Sequence, residues 1–483
     1  MLNRSILAQQ KGVIRMDSDY IAFRGSLEQL LEKVERGEMI PKLQASHAPP
    51  CKFWTAFMVV NGIRHVAPVI HGPVGCTYGV ANAYKVTSCE YRGVPLEPTS
   101  CTALDETNVV YGGEGKLVEA IKEAEARYHP EIIAILSCCC SGIIGDDVET
   151  IAWEAEKEVN AKVIAIRSEG FGGDFRSGFE DAFKAIMDLM EPPKQKREKT
   201  INILGARVGP TYTEWLEDLD EIMRLVSAIG VDINAVLCGG CTLEEIRRAR
   251  EVELNASWCY DWGQKLGDLM QERYGIPYSR TGQPYGLQAT EEWVMGVAMP
   301  LGLEKKAREV IQRETDQVKE EVESLRRNLN GKTALIEIAE FPGPIRALSM
   351  ARMVEEFGAR PVVINMHPYT IKERMPSIKF LVETGRNPEV VLTKGLFSLG
   401  TFRSSWQTEF EIEKLVTEYD NAIFFGTPQR QPGIPQVNLT TRTGFPQYGY
   451  PGIRNIARLV ESAVVNAARP RSKLFRQVLY GGG

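Results

Sequence analysis

Three of the ten cysteines stand apart by their setting. Cys51 follows Pro49-Pro50. Cys76 closes His71-Gly72-Pro73-Val74-Gly75-Cys76. Cys139 lies inside Ser137-Cys138-Cys139-Cys140, ahead of Gly145-Asp146-Asp147. Each is framed by small or kinking residues, and glycine lets a backbone turn sharply. Thiols spread this far along a chain suit an iron–sulfur cluster, which is held by thiolates and can draw them from the ends of several strands. A zinc site usually takes its ligands in close pairs. Taken singly, each of the three also reads as a buried thiol, because free cysteine packs as a small hydrophobe.

The other cysteines divide by context. Cys259 ends Leu254-Asn255-Ala256-Ser257-Trp258-Cys259, where a strand gives way to a helix closing near Tyr274-Gly275. A thiol at a helix N-terminus is stabilised as thiolate and suited to metal, with a core cysteine as the bland alternative. Cys238-Gly-Gly-Cys241 has no second CxxC to complete four ligands, so it reads as a structural loop before a redox pair or half a zinc site. Cys138 and Cys140 point away from Cys139 if that segment is extended, and read as small core residues. Cys89 and Cys101 carry no further signal.

The elements that must position these thiols repeat three times as a β-branched run, a small-residue loop and an amphipathic helix. The runs start at Glu131, Thr200 and Thr333, and each unit continues into another strand, at Ala161–Ile166, Asp232–Leu237 and Pro361–Asn365. Continuous apolar strands alternating with helices predict an α/β chain of three Rossmann-like domains with parallel sheets. Ligands of such folds gather at the carboxyl ends of the strands. The boundaries fall at an N-terminal extension over 1–48 without a strand–helix pattern of its own, a cluster-binding domain over 49–195, a second domain over 196–330 and a third, with a C-terminal helix, over 331–483. The charged stretch Glu304–Asn330 reads as one long solvated helix ending at Asn330-Gly331.

Composition excludes several classes. The 483 residues are 43% hydrophobic with a net charge of −6, which gives no basic footprint for nucleic acid. No apolar run reaches the ~18 residues of a membrane span, and the first residues lack the apolar core of a signal peptide. A cytoplasmic chain is expected, where disulfides are rare and ten cysteines favour metal or redox roles.

The segments His71–Cys76, Val110-Tyr-Gly-Gly113, Cys139 with Gly145-Asp146-Asp147, and Leu254–Tyr260 together resemble the catalytic component of the nitrogenase superfamily, from about Pro50 to the C-terminal region. The resemblance implies a homologous second chain in an α2β2 assembly. Cys51, Cys76 and Cys139 would supply half the ligands of an eight-iron P-type cluster at that interface. Cys259 would bind an iron of a buried nitrogenase-type iron–sulfur catalytic cofactor. Electrons would come from a separate ATP-dependent iron protein, which fits the absence of a P-loop here.

Departures from that pattern bear on the reaction. Tyr448 stands where molybdenum nitrogenase has a histidine on the cofactor, and the five histidines are His47, His65, His71, His129 and His367. Arg176 and Glu180 stand where nitrogenase has a glutamine and a histidine, while Arg346 matches a retained arginine beside the cofactor. Arginine stays charged and cannot serve as an acid. Glu180 donates protons only if its pKa is raised, or else pairs with Arg176 four residues away. Among nitrogenase-like reductases the chain most resembles methylthio-alkane reductase, by overall similarity and elimination, which implies cleavage of carbon–sulfur bonds of small methyl thioethers. Open alternatives are the β-type partner chain, suggested by Gln283–Thr290, nitrogenase proper, a cofactor-assembly scaffold and a tetrapyrrole reductase.

Overall fold

Residues 21–35 form elements where the sequence pattern predicts none. Strand β1 (Ile21–Ser26) leads into a helix, Leu27–Glu35, through a capping box in which Ser26 and Gln29 exchange hydrogen bonds. Ser-x-x-Gln ahead of a leucine-rich run is a helix-start signature. Leu27, Leu30, Leu31 and Val34 are all buried, the spacing of one helical face. These elements join the third unit of the chain.

The computed structural model describes residues 20–39, 51–84, 97–206, 215–259, 261–338, 343–366, 371–372, 374–394, 406–426, 434–438 and 446–468. Cys89, Tyr260, His47 and His367 lie outside them. Strands β2 (Val66–His71), β3 (Ser100–Cys101), β4 (Ile132–Ser137) and β5 (Lys162–Ile166) form an all-parallel sheet in the order β3-β2-β4-β5. Strands β6 (Arg197–Leu204), β7 (Asp232–Val236), β8 (Val252–Ser257) and β9 (Tyr278–Ser279) form a second, in the order β7-β6-β8-β9. The third sheet holds β10 (Thr333–Glu337), β11 (Arg360–Ile364), β12 (Glu389–Thr393), β13 (Ala422–Gly426) and β14 (Gln436–Asn438). Its edge is β1, antiparallel to β12.

Strands β2 and β4 are buried at every position, as strands covered on both faces must be. The fold is therefore the parallel-sheet α/β architecture that the sequence predicts. The charged stretch after residue 304 departs from expectation: it is two helices, Glu304–Asp316 and Lys319–Leu329. Val318 is fully buried at the break, and the change of direction lets Val310, Val322 and Leu325 reach the same core. No helix among the described residues is long and apolar enough to cross a membrane.

Two helices carry the first site. Lys52–Val60 packs against Phe175–Met187, and Gly178 is the point of closest approach. A Cβ there would lie 2.0 Å from the Lys52 carbonyl oxygen and 2.4 Å from Thr55 Oγ1. Buried Lys52 reaches Asp181 on the same partner helix at 2.9 Å. Replacing Gly178 with Ala forces the helices apart and should cost about 1–3 kcal/mol, the range for overpacking a close contact. Urea unfolding of the two proteins measures this, and an unchanged midpoint would contradict the contact.

Candidate functional site

Cys51, Cys76 and Cys139 each sit at the amino end of a helix. Cys51 is the N-cap of Lys52–Val60, Cys76 lies in the first turn of Val74–Tyr84, and Cys139 opens Cys139–Ile144. Helix amino ends carry partial positive charge and free N–H groups, and both favour thiolate over thiol. The Gly170 N–H donates to Cys139 Sγ at 3.2 Å, and the N–H groups of Trp54 and Phe53 serve Cys51. A Cβ on Gly170 would stand 3.2 Å from Cys139 Sγ and 3.9 Å from Cys51 Sγ, so both thiols line the space against that glycine.

The thiols influence one another. Burial pushes Cys51 up, and the Cys139 and Cys76 sulfurs add repulsion against its ionisation. Cys76 is lowered to about 7 by a hydrogen bond from Cys138, against burial. Cys138 is therefore more than a core filler: it is buried, but its thiol faces Cys76. Cys139–Cys140 begin a helix rather than an extended run, and Cys140 is only half-buried. Among the described residues, no three His, Cys, Asp or Glu side chains close to the spacing a single ion needs. A donor set made only of sulfur, spread around a glycine-lined space, fits a polynuclear iron–sulfur cluster better than one zinc ion.

Behind these cysteines, three of the sequence motifs meet. His71 is fully buried, with Nε2 2.8 Å from Asp146 Oδ2 and Nδ1 3.1 Å from Thr102 Oγ1. Burial lowers its pKa despite the pull of Asp146, so the ring is neutral at neutral pH. Its Nε2–H then donates to the carboxylate, which accepts only. Asp146 also takes the Gly113 N–H, and a Cβ on Gly113 would come within 2.7 Å of Asp146 and 3.0 Å of His71. This buried junction fixes the loops that present Cys76 and Cys139.

Cys259 lies between β8 and the helix Trp262–Tyr274, half-buried, with the Asp261 N–H donating to its Sγ at 3.4 Å. The ring of its neighbour Trp258 meets Tyr448 edge-on at 5.7 Å, and Tyr448 meets Tyr285 at 4.9 Å. Arg346, 2% exposed, donates from Nε to Tyr285 Oη at 3.1 Å and from Nη2 to Gln447 Oε1 at 2.6 Å. Asp218 Oδ1 receives the N–H groups of both Gln447 and Tyr448. The fold thus brings Tyr448 and Arg346, far apart in sequence, to an aromatic wall beside the Cys259 turn.

Arg176 and Glu180 do not pair with each other. Arg176 stands 4.0 Å from Asp261 Oδ1, and so reaches the Cys259 turn. Glu180 bonds Lys184 at 2.9 Å and Lys265 at 3.1 Å. Burial pushes its carboxyl up, but the two lysines pull it below the usual carboxylate range. It is ionised at neutral pH and has no proton to donate. Cys238 and Cys241 are fully buried, with burial holding Cys238 far above the thiol range and Cys241 at about 12. Gly62 packs against the Cys238 carbonyl, where a Cβ would lie 1.9 Å away. That CxxC is a packed loop. The residues that sequence reading missed are Cys138, Asp261 and Arg374; their contacts come from three different sheets, and no local motif marks them.

The pattern of the family described as Nitrogenase component 1 type Oxidoreductase matches residues 51–464, and the chain belongs to this family. It is 26% identical over 426 residues to the nitrogenase iron-molybdenum cofactor biosynthesis protein NifE of Clostridium pasteurianum, covering 86% of this chain and 87% of that protein. It is 30% identical over 370 residues to the nitrogenase molybdenum-iron protein alpha chain of Methanosarcina barkeri, covering 73% and 66%. The solved structure described as Nitrogenase Cp1 at pH 6.5 matches with a TM-score of 0.67 at 21% identity, covering 90% of this chain and 91% of that one. That likeness shows a shared fold. Members of the family bind iron–sulfur clusters and work in multi-subunit complexes with an iron protein.

A separate cavity of about 580 Å³ is lined by Arg280, Gln288, Glu292, Arg352, Glu356 and Arg386 among others. Burial raises Glu356 to about 7, with Glu291 adding to the rise and the N–H groups of Gln288 and Leu287 and nearby Arg352 opposing it. An acid held above its unfolded value near 4.5 keeps a proton in the folded state that the unfolded state has released. Its contribution to stability is present at low pH and is lost as pH rises through about 7. Glu356→Gln should remove about 3 kcal/mol of that loss between pH 4 and pH 8. Urea titrations of both proteins at the two pH values measure the difference, and parallel curves would rule out the raised pKa.

Proposed function

We propose that this chain is the cofactor-bearing subunit of a nitrogenase-like reductase that cleaves the carbon–sulfur bond of small methyl thioethers. Two electrons from an ATP-dependent iron protein and two protons convert R–S–CH₃ into R–H and CH₃SH. The observation that carries this reading is the wall of Trp258, Tyr285 and Tyr448 beside the Cys259 turn, with a tyrosine where the nitrogenase pattern has a histidine. Thioether sulfur makes favourable contacts with aromatic rings, so such a wall suits a small methyl sulfide. Arg346 would hold a fixed positive charge beside a cofactor anchored on Cys259, and Arg176 would do so at the far side of the turn. The bound cofactor would supply the reducing electrons.

The three-cysteine site supports a relay cluster shared with a homologous chain in an α2β2 complex. Three thiols are one short of the usual four for an iron–sulfur cluster, and Cys139 is exposed. Around it Val74, Tyr78, Val110, Tyr111, Ile143 and Phe171 are all exposed, Tyr111 at 84% and Ile143 at 75%. An apolar surface of that kind marks a protein interface. Cys139→Ala should lose cluster iron and weaken association with the partner chain, measured by iron content and size-exclusion chromatography of the co-purified complex. Full iron in that variant would remove Cys139 from the ligand set.

A second reading, a scaffold for cofactor assembly, draws support from the match to NifE, a cofactor biosynthesis protein, over 86% of this chain. Turnover separates the two. With the iron protein, ATP and a methyl thioether, the reductase should release methanethiol and hydrocarbon by gas chromatography, with little ammonia from dinitrogen. Ammonia as the main product, with thioethers untouched, would reject it in favour of nitrogenase. No turnover from a fully metal-loaded complex would favour the scaffold.

A further inference from the structure

We infer that Asp261 is a positioning residue that holds Cys259 and ties its turn to the three-cysteine site. The inference takes Cys259 as the cofactor anchor, but its geometry stands apart from any substrate. Asp261 is the residue before the helix Trp262–Tyr274, yet its side chain makes no capping bond to that helix, the role an aspartate there usually takes. Its carboxylate, 3% exposed, turns the other way. Oδ2 accepts from Arg374 Nε at 3.0 Å, Ser377 Oγ stands 3.4 Å from Oδ1, and Arg176 Nη2 lies 4.0 Å from Oδ1. Meanwhile the Asp261 N–H donates to Cys259 Sγ. One residue therefore holds the thiol with its backbone and two guanidinium groups with its side chain.

Asp261 and its three partners are placed by three different sheets. Arg374 and Ser377 lie between β11 and β12, Arg176 follows β5, and Asp261 follows β8. Arg374 is fully buried, and its guanidinium stacks over Phe175 at 4.3 Å. Phe175 precedes Arg176, and its carbonyl accepts from Thr55 on the Cys51 helix at 2.6 Å. Six residues before Arg176, the Gly170 N–H donates to Cys139 Sγ. A continuous line of covalent and polar contacts thus runs from Cys139 through residues 170–176 and Asp261 to Cys259. Removing the charge of Asp261 takes one opposite charge from a buried guanidinium and loosens the turn that carries the thiol.

Iodoacetamide labelling of the metal-free full chain, with each cysteine followed by peptide mass spectrometry, tests this without cofactor or turnover. Asp261→Asn should speed labelling of Cys259 by about tenfold, as expected for a locally loosened turn, while buried Cys238 and Cys241 stay protected. Asp261→Glu should restore part of the protection. Arg176→Met, at a partly exposed position, should raise Cys259 labelling by a smaller factor and serves as the test if Asp261→Asn does not fold. Unchanged Cys259 labelling in a folded variant would overturn the inference, and so would equal acceleration of all cysteines, which means general loosening. If labelling shifts as expected while Cys259→Ala keeps all cofactor metal in the assembled complex, the positioning role stands and the anchor reading fails.

Discussion

Thiolates crowded together repel one another, and the first unit of this protein is organised around that constraint. Three helix amino ends converge so that their positive ends and free N–H groups face Cys51, Cys76 and Cys139, which offsets part of the repulsion. Burial raises Cys51, with the Cys139 and Cys76 sulfurs adding a smaller repulsion, and Cys138 gives a hydrogen bond to Cys76. A cation-rich group bridging the sulfurs would relieve the repulsion. Glycine at residue 170 leaves room for that group, and the His71–Asp146–Gly113 junction holds the loops from behind.

The second thiol region solves a different problem. Cys259 has one neighbouring wall of aromatic rings and, on the other side, a buried carboxylate between arginines. The rings make the surroundings apolar, while Arg346 and Arg176 keep positive charge close. An anionic metal group held by one thiolate suits such a place, because fixed cations in a low-dielectric pocket act strongly. The two regions are joined by the segment after β5, which touches Cys139 at Gly170 and the Cys259 turn at Arg176.

Much of the fold was legible because burial on both faces of a parallel sheet leaves apolar runs that local reading can find. The breaks in that legibility have physical causes. The strand Ile21–Ser26 is short and gains its partner, Glu389–Thr393, from the far end of the chain, so no local repeat announces it. The charged stretch after residue 304 keeps helical composition through Gln317-Val318, and only the burial of Val318 in the assembled core turns the chain there. Cys138 reads as filler when the segment is taken as extended, but the helix that starts at Cys139 swings its thiol toward Cys76.

By itself the sequence marked the parallel α/β pattern, the thiols proposed as cluster ligands and the aromatic and arginine substitutions of the second region, since residue type and short-range spacing carry that information. Tertiary structure alone decided which of those residues act together. Arg176 and Glu180, four apart on one helix, part company: one turns to Asp261 and the other to two lysines. Arg346 and Gln447 meet across a hundred residues. Asp261 carries no motif and takes its place only when side chains placed by the two other sheets converge on it. The physical reason is that a buried charge is satisfied by whichever opposite charges the packed chain brings within reach, and separation along the sequence does not fix that choice.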